Sequence, residues 1–143
     1  MVASIRSFTP RDFHAARALW QSTEAVGLSE ADEREPIERF LLRNPGLSYV
    51  ACEQGALVGT ILCGHDGRRG LIHHLVVSAG HRRQGLGRLL LRHAITGLRA
   101  QSIDKCHLLV FTANTAGLAF WRRVAAVERK ELALFSLTTR SDA

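Results

Sequence analysis

Cysteine, lysine, tyrosine and long apolar runs are all scarce in this chain, and each scarcity excludes something. The three cysteines, Cys52, Cys63 and Cys106, are odd in number, far apart and free of any CxxC spacing. That pattern argues against a disulfide framework and against the common cysteine metal sites, so no metal is expected. They read instead as buried thiols of strand-like segments in a reduced compartment. No run approaches the roughly 18 apolar residues that a bilayer crossing needs. Met1 to Pro10 also lacks the apolar stretch of a secretory leader. The expectation is a cytoplasmic protein without a membrane partner. Tyrosine occurs once, and the other aromatics fall at core-like spacing, which leaves no platform for stacking nucleic-acid bases. With no repeat, low-complexity stretch or linker, residues 1–143 read as one domain.

What the chain has in quantity is apolar residues and arginine. At 46% hydrophobic and 22% charged it has the balance of a globular protein, long enough to bury a core without staples. Its net charge is +6, and lysine contributes only Lys105 and Lys130 to the 19 basic residues. Arginine suits bidentate phosphate contacts, although solvated arginines are also a plain compositional habit. A multiply phosphorylated ligand fits this balance; nucleic acid fits the charge alone.

The hydrophobic period changes along the chain. Ser4–Phe8 alternates as a short strand. Thr9-Pro10-Arg11-Asp12 opens a helix, with Thr9 as cap, Pro10 in the first turn and Asp12 near the positive dipole end. Phe13, Ala16, Leu19 and Trp20 continue it at helical spacing. A second helix carries Ile37, Phe40 and Leu41 and stops at Asn44-Pro45-Gly46. Leu47–Glu53, Leu57–Gly64 and Leu71–Val77 then read as strands joined by antiparallel turns. Gly85–Ala100 is a long helix, Cys106–Thr112 a strand, Thr115–Val124 a helix, and Val127–Leu137 one or two closing strands. The order β-α-α-β-β-β-α-β-α-β-β predicts an α+β fold, helices covering a mostly antiparallel sheet.

The most informative stretch is Arg82-Arg83-Gln84-Gly85-Leu86-Gly87, set between a strand and a helix. Glycines at 85 and 87 let backbone approach a ligand closely. Amides at the helix start, with the helix dipole, form a seat for phosphate oxygens. Arg82, Arg83 and Arg88 bring positive charge to the same place. Taken alone, R-x-x-G-x-G also describes a tight turn with solvated arginines. A dinucleotide or Walker motif fits worse. The third glycine and the Gly-Lys-Ser/Thr are missing, and the strand follows a hairpin.

The segment Leu75–Leu90 resembles the cofactor signature of the GNAT N-acetyltransferase superfamily over its full length. Leu109–Asn114 followed by Ala116, Ala119, Phe120 and Trp121 resembles a second family segment, and Ile5–Phe13 resembles the family's opening strand and helix. The resemblance implies splayed strands that form an acetyl-CoA cleft, with acetyl-CoA as co-substrate. It implies that Leu75, Val76 and Val77 pair with the pantetheine arm like an added strand, an amide near Val76 polarising the thioester carbonyl. Arg82, Arg83, Gln84, Gly85, Leu86, Gly87 and Arg88 would hold the pyrophosphate. Asn114 would bond the pantetheine, cap the following helix, or both. The reaction implied is direct attack of a primary amine on the thioester, without a covalent enzyme intermediate.

The chain departs from that pattern in three places. Trp121 stands where many relatives carry a tyrosine that protonates the leaving thiolate, and an indole is too weak an acid for that work. Val110 stands where ribosomal-protein acetyltransferases carry a glutamate. Val124-Ala125-Ala126 replaces a usual glycine, and alanine tolerates a left-handed helix end poorly. For the proton acceptor, strict strand alternation puts His73 on one face with Leu71, Leu75 and Val77, and His74 on the other. His73 is the first candidate base, His74 the second and Glu53 on a neighbouring strand the third. Glu30, Asp32, Glu33 and Glu35 could attract a cationic amine or serve only as helix-start acids. The acceptor itself, whether small molecule, peptide N-terminus or lysine, is not specified, and a homodimer is compatible with everything above. A non-catalytic acyl-CoA-binding regulatory module on the same fold is the alternative reading.

Overall fold

The computed structural model describes residues 3–140. Its strands are β1 (Ser4–Ser7), β2 (Tyr49–Glu53), β3 (Ala56–His65), β4 (Gly70–Val77) and β5 (Cys106–Leu108). Its helices are α1 (Phe13–Gln21), α2 (Arg34–Arg43), α3 (Leu86–Ala100) and α4 (Thr115–Arg123). The strands lie in sequence order across one sheet, antiparallel from β1 to β4, with β5 joining β4 in parallel. The chain therefore has the expected α+β fold.

Apolar residues from the two faces of the sheet build two cores. On one side Leu90, Leu91, Ala94 and Leu98 of α3 cover Ala51, Ile61, Cys63 and Ile72. On the other, Phe13, Leu19 and Trp20 of α1 and Ile37 of α2 cover Val50, Leu62 and Val76. Burying a leucine such as Leu90, which has no exposure, contributes about 2 kcal/mol. The entry to α1 is fixed by charge as well as by packing. Both guanidinium Nη atoms of Arg6 donate to the Asp12 carboxylate at 2.8 Å, and the Thr9 amide donates to it at 2.9 Å. Burial pushes the Asp12 carboxyl up, but these bonds outweigh it and hold the group below its ordinary value.

Three expectations from sequence are corrected. The strand expected over Cys106–Thr112 is cut to Cys106–Leu108. No strand forms in Val127–Leu137, where Val127, Leu134 and Phe135 are exposed. A β5 of three residues offers a short ladder, and alternation without a partner does not make a strand. The third correction concerns β4. Leu62 faces His73 and Thr60 faces Val76, so Ile61 alone opposes both His74 and Leu75. This bulge resets the alternation. Ile72 faces the α3 core, yet beyond the bulge Leu75 and Val77 do so too. His73 and His74 consequently both lie toward α1 and α2, against Phe40 and Trp20 respectively.

Candidate active site

β4 and β5 pair only at Gly70–Cys106, Leu71–His107 and Ile72–Leu108. Past Ile72 the two strands part, and the edge of β4 that faces β5 is unpaired. Which backbone groups it presents follows from the ladder on its other side. The Ser78 amide donates to Val58 O at 2.8 Å. Antiparallel pairs alternate between bonded and non-bonded, so Val76, opposite Thr60, also turns its amide toward β3. Leu75 and Val77 turn theirs outward. The Nε–H of Arg82 confirms the direction by donating to Val77 O at 3.1 Å. The groups free to pair with an extended ligand are thus those of Leu75 and the amide of Val77, the neighbours of Val76.

At the end of this edge the chain makes the short 3-10 turn Ala79–His81 and then the arginine-glycine turn. Arg83 and Gly85 both take the left-handed conformation, at φ 64° and 77°. Gly85 caps α3, whose first helical bond runs from the Leu89 amide to Gly85 O at 3.0 Å. The amides of Leu86, Gly87 and Arg88 therefore have no partner within the helix. A Cβ placed on Gly85 would meet nothing within 4 Å, so the space beside this turn is empty on that side. Arg82, Arg83 and Arg88 have no carboxylate within 4 Å among the described residues. Three free amides, a positive dipole end and three uncompensated guanidinium groups form a seat that fits a pyrophosphate. Gln84 lies inside the same turn.

α4 closes the far side. Asn114 caps it, its Oδ1 accepting from the Gly117 amide at 2.9 Å. A Cβ on Gly87 would lie 3.2 Å from the Phe120 ring, so α4 packs against the start of α3. Trp121 stands edge-on to Phe120 with ring centroids 5.2 Å apart and packs on the α3 core.

The three candidate bases do not come together. His73 and His74 are adjacent on the α1–α2 side. Glu53 pairs with Ala56, six residues along β3 from the partner of His73, a separation of about 20 Å at the strand rise. It lies 2.9 Å from His81 Nε2, and His81 Nδ1 lies 2.7 Å from Ser78 Oγ. Glu53 thereby braces the entrance to the arginine-glycine turn. Burial lowers the affinity of His73 for a proton, the neighbouring His74 lowers it further, and Asp32 opposes both. His74 has a different setting, with Asp32 Oδ1 2.7 Å from its Nε2 and the Trp20 ring 4.6 Å from its own. Of the loop acids, only Asp32 reaches the histidine pair. Trp20 reads from sequence as ordinary core, and no local spacing signals a contact across 42 residues such as that of Asp32 with His74.

The sheet is thus open-edged past Ile72, its fourth strand running into a helix start of unpaired amides beside a parting fifth strand. The chain belongs to the acetyltransferase (GNAT) family of enzymes, whose model matches residues 13–125. An acetyltransferase of Pectobacterium atrosepticum is 32% identical over 120 residues, 84% of each chain. One of Photorhabdus laumondii is 32% identical over 133 residues, 92% of each chain. Among solved structures, Ard1 from Thermoplasma volcanium superposes with a TM-score of 0.76 at 22% identity, covering 89% of this chain and 84% of that one. The PaiA N-acetyltransferase of Thermoplasma acidophilum, solved with coenzyme A, gives 0.74 at 21% identity over 87% and 89%. At such identities these two likenesses are likenesses of fold. No helix among the described residues is long and apolar enough to cross a membrane.

Proposed function

We propose that this chain transfers an acetyl group from acetyl-CoA to a primary amine of a small molecule, peptide or protein. The observation that carries the reading is the turn at residues 82–88. It offers helix-start amides without a helical partner and arginines without a carboxylate partner among the described residues, at the end of a strand edge that β5 leaves past Ile72. In this reading the pyrophosphate lies on the amides of residues 86–88 with Arg82, Arg83 and Arg88 around it. The pantetheine lies along Leu75 and Val77 and reaches the side chain of Asn114. The thioester then sits where β4 and β5 part, next to the bulge.

The amine nitrogen forms a bond to the thioester carbonyl carbon as the carbon–sulfur bond breaks. An outward amide of β4 stabilises the charge that gathers on the carbonyl oxygen. The proton shed by the amine passes to the histidine pair of β4. The CoA thiolate, already a fair leaving group at neutral pH, takes its proton from water, since Trp121 cannot supply one.

A thiol-release assay with acetyl-CoA against a library of amines and peptides tests this reading. Amine-dependent release is the expected result. Intact acetyl-CoA binding without release on any acceptor would make the chain a non-catalytic acyl-CoA-binding module.

A further inference from the structure

His74 sits in β4 at φ +46°, a left-handed conformation that costs a side-chain-bearing residue about 1–2 kcal/mol. Such strain persists only where its surroundings enforce it, and here they do so through a buried chain of bonds. The indole Nε1–H of Trp20 donates to Thr60 Oγ1 at 2.9 Å, and the Thr60 hydroxyl donates to the His74 carbonyl at 2.8 Å. Trp20 and Thr60 have no exposure at all. The backbone of the bulge is thereby fixed from within the α1 core, immediately before Leu75, the first residue to face the open edge.

The side chain of His74 is fixed separately. Asp32 belongs to the short 3-10 turn Glu30–Asp32 that precedes α2. Both of its carboxylate oxygens are engaged: Oδ2 accepts the Ser29 amide at 2.9 Å, and Oδ1 lies 2.7 Å from His74 Nε2. The turn is held in place by Arg17, whose Nη1 donates to the Asp32 carbonyl at 3.1 Å and which pairs with Glu33. A carboxylate only accepts, so a neutral His74 beside it must carry its proton on Nε2 and keep its lone pair on Nδ1.

We propose that Asp32 is a positioning residue for the transfer reaction. It holds His74 in the Nε2–H tautomer, so that Nδ1 takes the proton released when the amine attacks the thioester. The proposal rests on the acetyltransferase reading and adds which histidine accepts the proton and what aims it. The balance is simple: the N–C bond forms, the C–S bond breaks, one proton moves from nitrogen to Nδ1 and later to water, and the thiolate departs.

Asp32→Asn is a discriminating substitution. Its amide oxygen can keep the Ser29 amide, which leaves the NH2 facing His74 and forces the opposite tautomer. The experiment combines steady-state kinetics on an amine the wild type acetylates, acetyl-CoA affinity by calorimetry, and 15N NMR of the His74 imidazole. Asp32→Asn should lower kcat about 10²-fold, within the range of general-base effects, with acetyl-CoA affinity changed less than twofold. The spectrum should report Nε2–H in the wild type and Nδ1–H in the variant, and Asp32→Glu should recover part of the loss. Full turnover in Asp32→Asn would overturn the proposal. So would an Nδ1–H tautomer in the wild type, a measurement that needs no folded variant. Failure of the wild type to acetylate any amine would instead remove the reading on which it rests, and that failure is visible before any substitution is made.

Discussion

His73 meets the ring of Phe40 edge-on, with centroids 5.9 Å apart, inside the apolar layer between β4 and α2. Burial there lowers its affinity for a proton, and the adjacent His74 adds to the effect. The folded chain thus binds a proton at His73 less readily than the unfolded chain, whose histidines titrate near 6.5. Stability associated with this residue is complete above about pH 6.5 and is lost as pH falls through the lowered folded value. Denaturant melts at pH 7, 6 and 5 should show stability falling across the series, and less steeply in His73→Gln. Equal slopes for the two proteins would contradict this assignment.

Ala125 ends α4 in the left-handed conformation, at φ 69°. The amide of Ala126 donates to Trp121 O at 2.9 Å and that of Ala125 to Arg122 O at 3.0 Å, the bonding of a Schellman cap on a residue that pays for its Cβ. Ala125→Gly should therefore raise stability by about 1 kcal/mol, a gain of about 2–4 °C in thermal midpoint for a domain of this size. An unchanged or lower midpoint would mean the alanine side chain makes a contact that outweighs its strain.

Trp121 fills space against the α3 core and Phe120, and its indole cannot serve as the acid that protonates a thiolate. Trp121→Phe should keep turnover within a fewfold of wild type while costing about 1–2 kcal/mol of stability through lost packing. A folded variant that binds acetyl-CoA normally but has lost most of its turnover would give the indole a direct part in the reaction.

The parts of this molecule that local chemistry dictates are legible in its sequence. Gly85 stands between a strand and a helix flanked by arginines, and that spacing marks the turn in the sequence; its left-handed φ of 77° is a finding of the structure. The apolar faces of α1 and α2 follow from period alone, down to the burial of Trp20 and Ile37. The histidine pair of β4 is less legible because its geometry is not local. Strict alternation separates His73 from His74, and only the bulge opposite Ile61, enforced through Thr60 and Trp20, puts both on one side. Asp32 reads as a helix-start acid, which it also is, through the Ser29 amide. The alternating segment Val127–Leu137 reads as strand, but β5 presents it with only three residues of ladder.

The central claim is that acetyl-CoA binds through the backbone of the turn at residues 82–88, and calorimetric titration of acetyl-CoA into wild type and Gly85→Glu tests it most directly. The left-handed φ of 77° and the open space over Gly85 mean that a glutamate there strains the turn and sets a carboxylate over the phosphate seat. The expected result is saturable binding to the wild type and none detectable in a variant whose circular dichroism remains that of the folded chain. Equal affinity in the two proteins would contradict the claim.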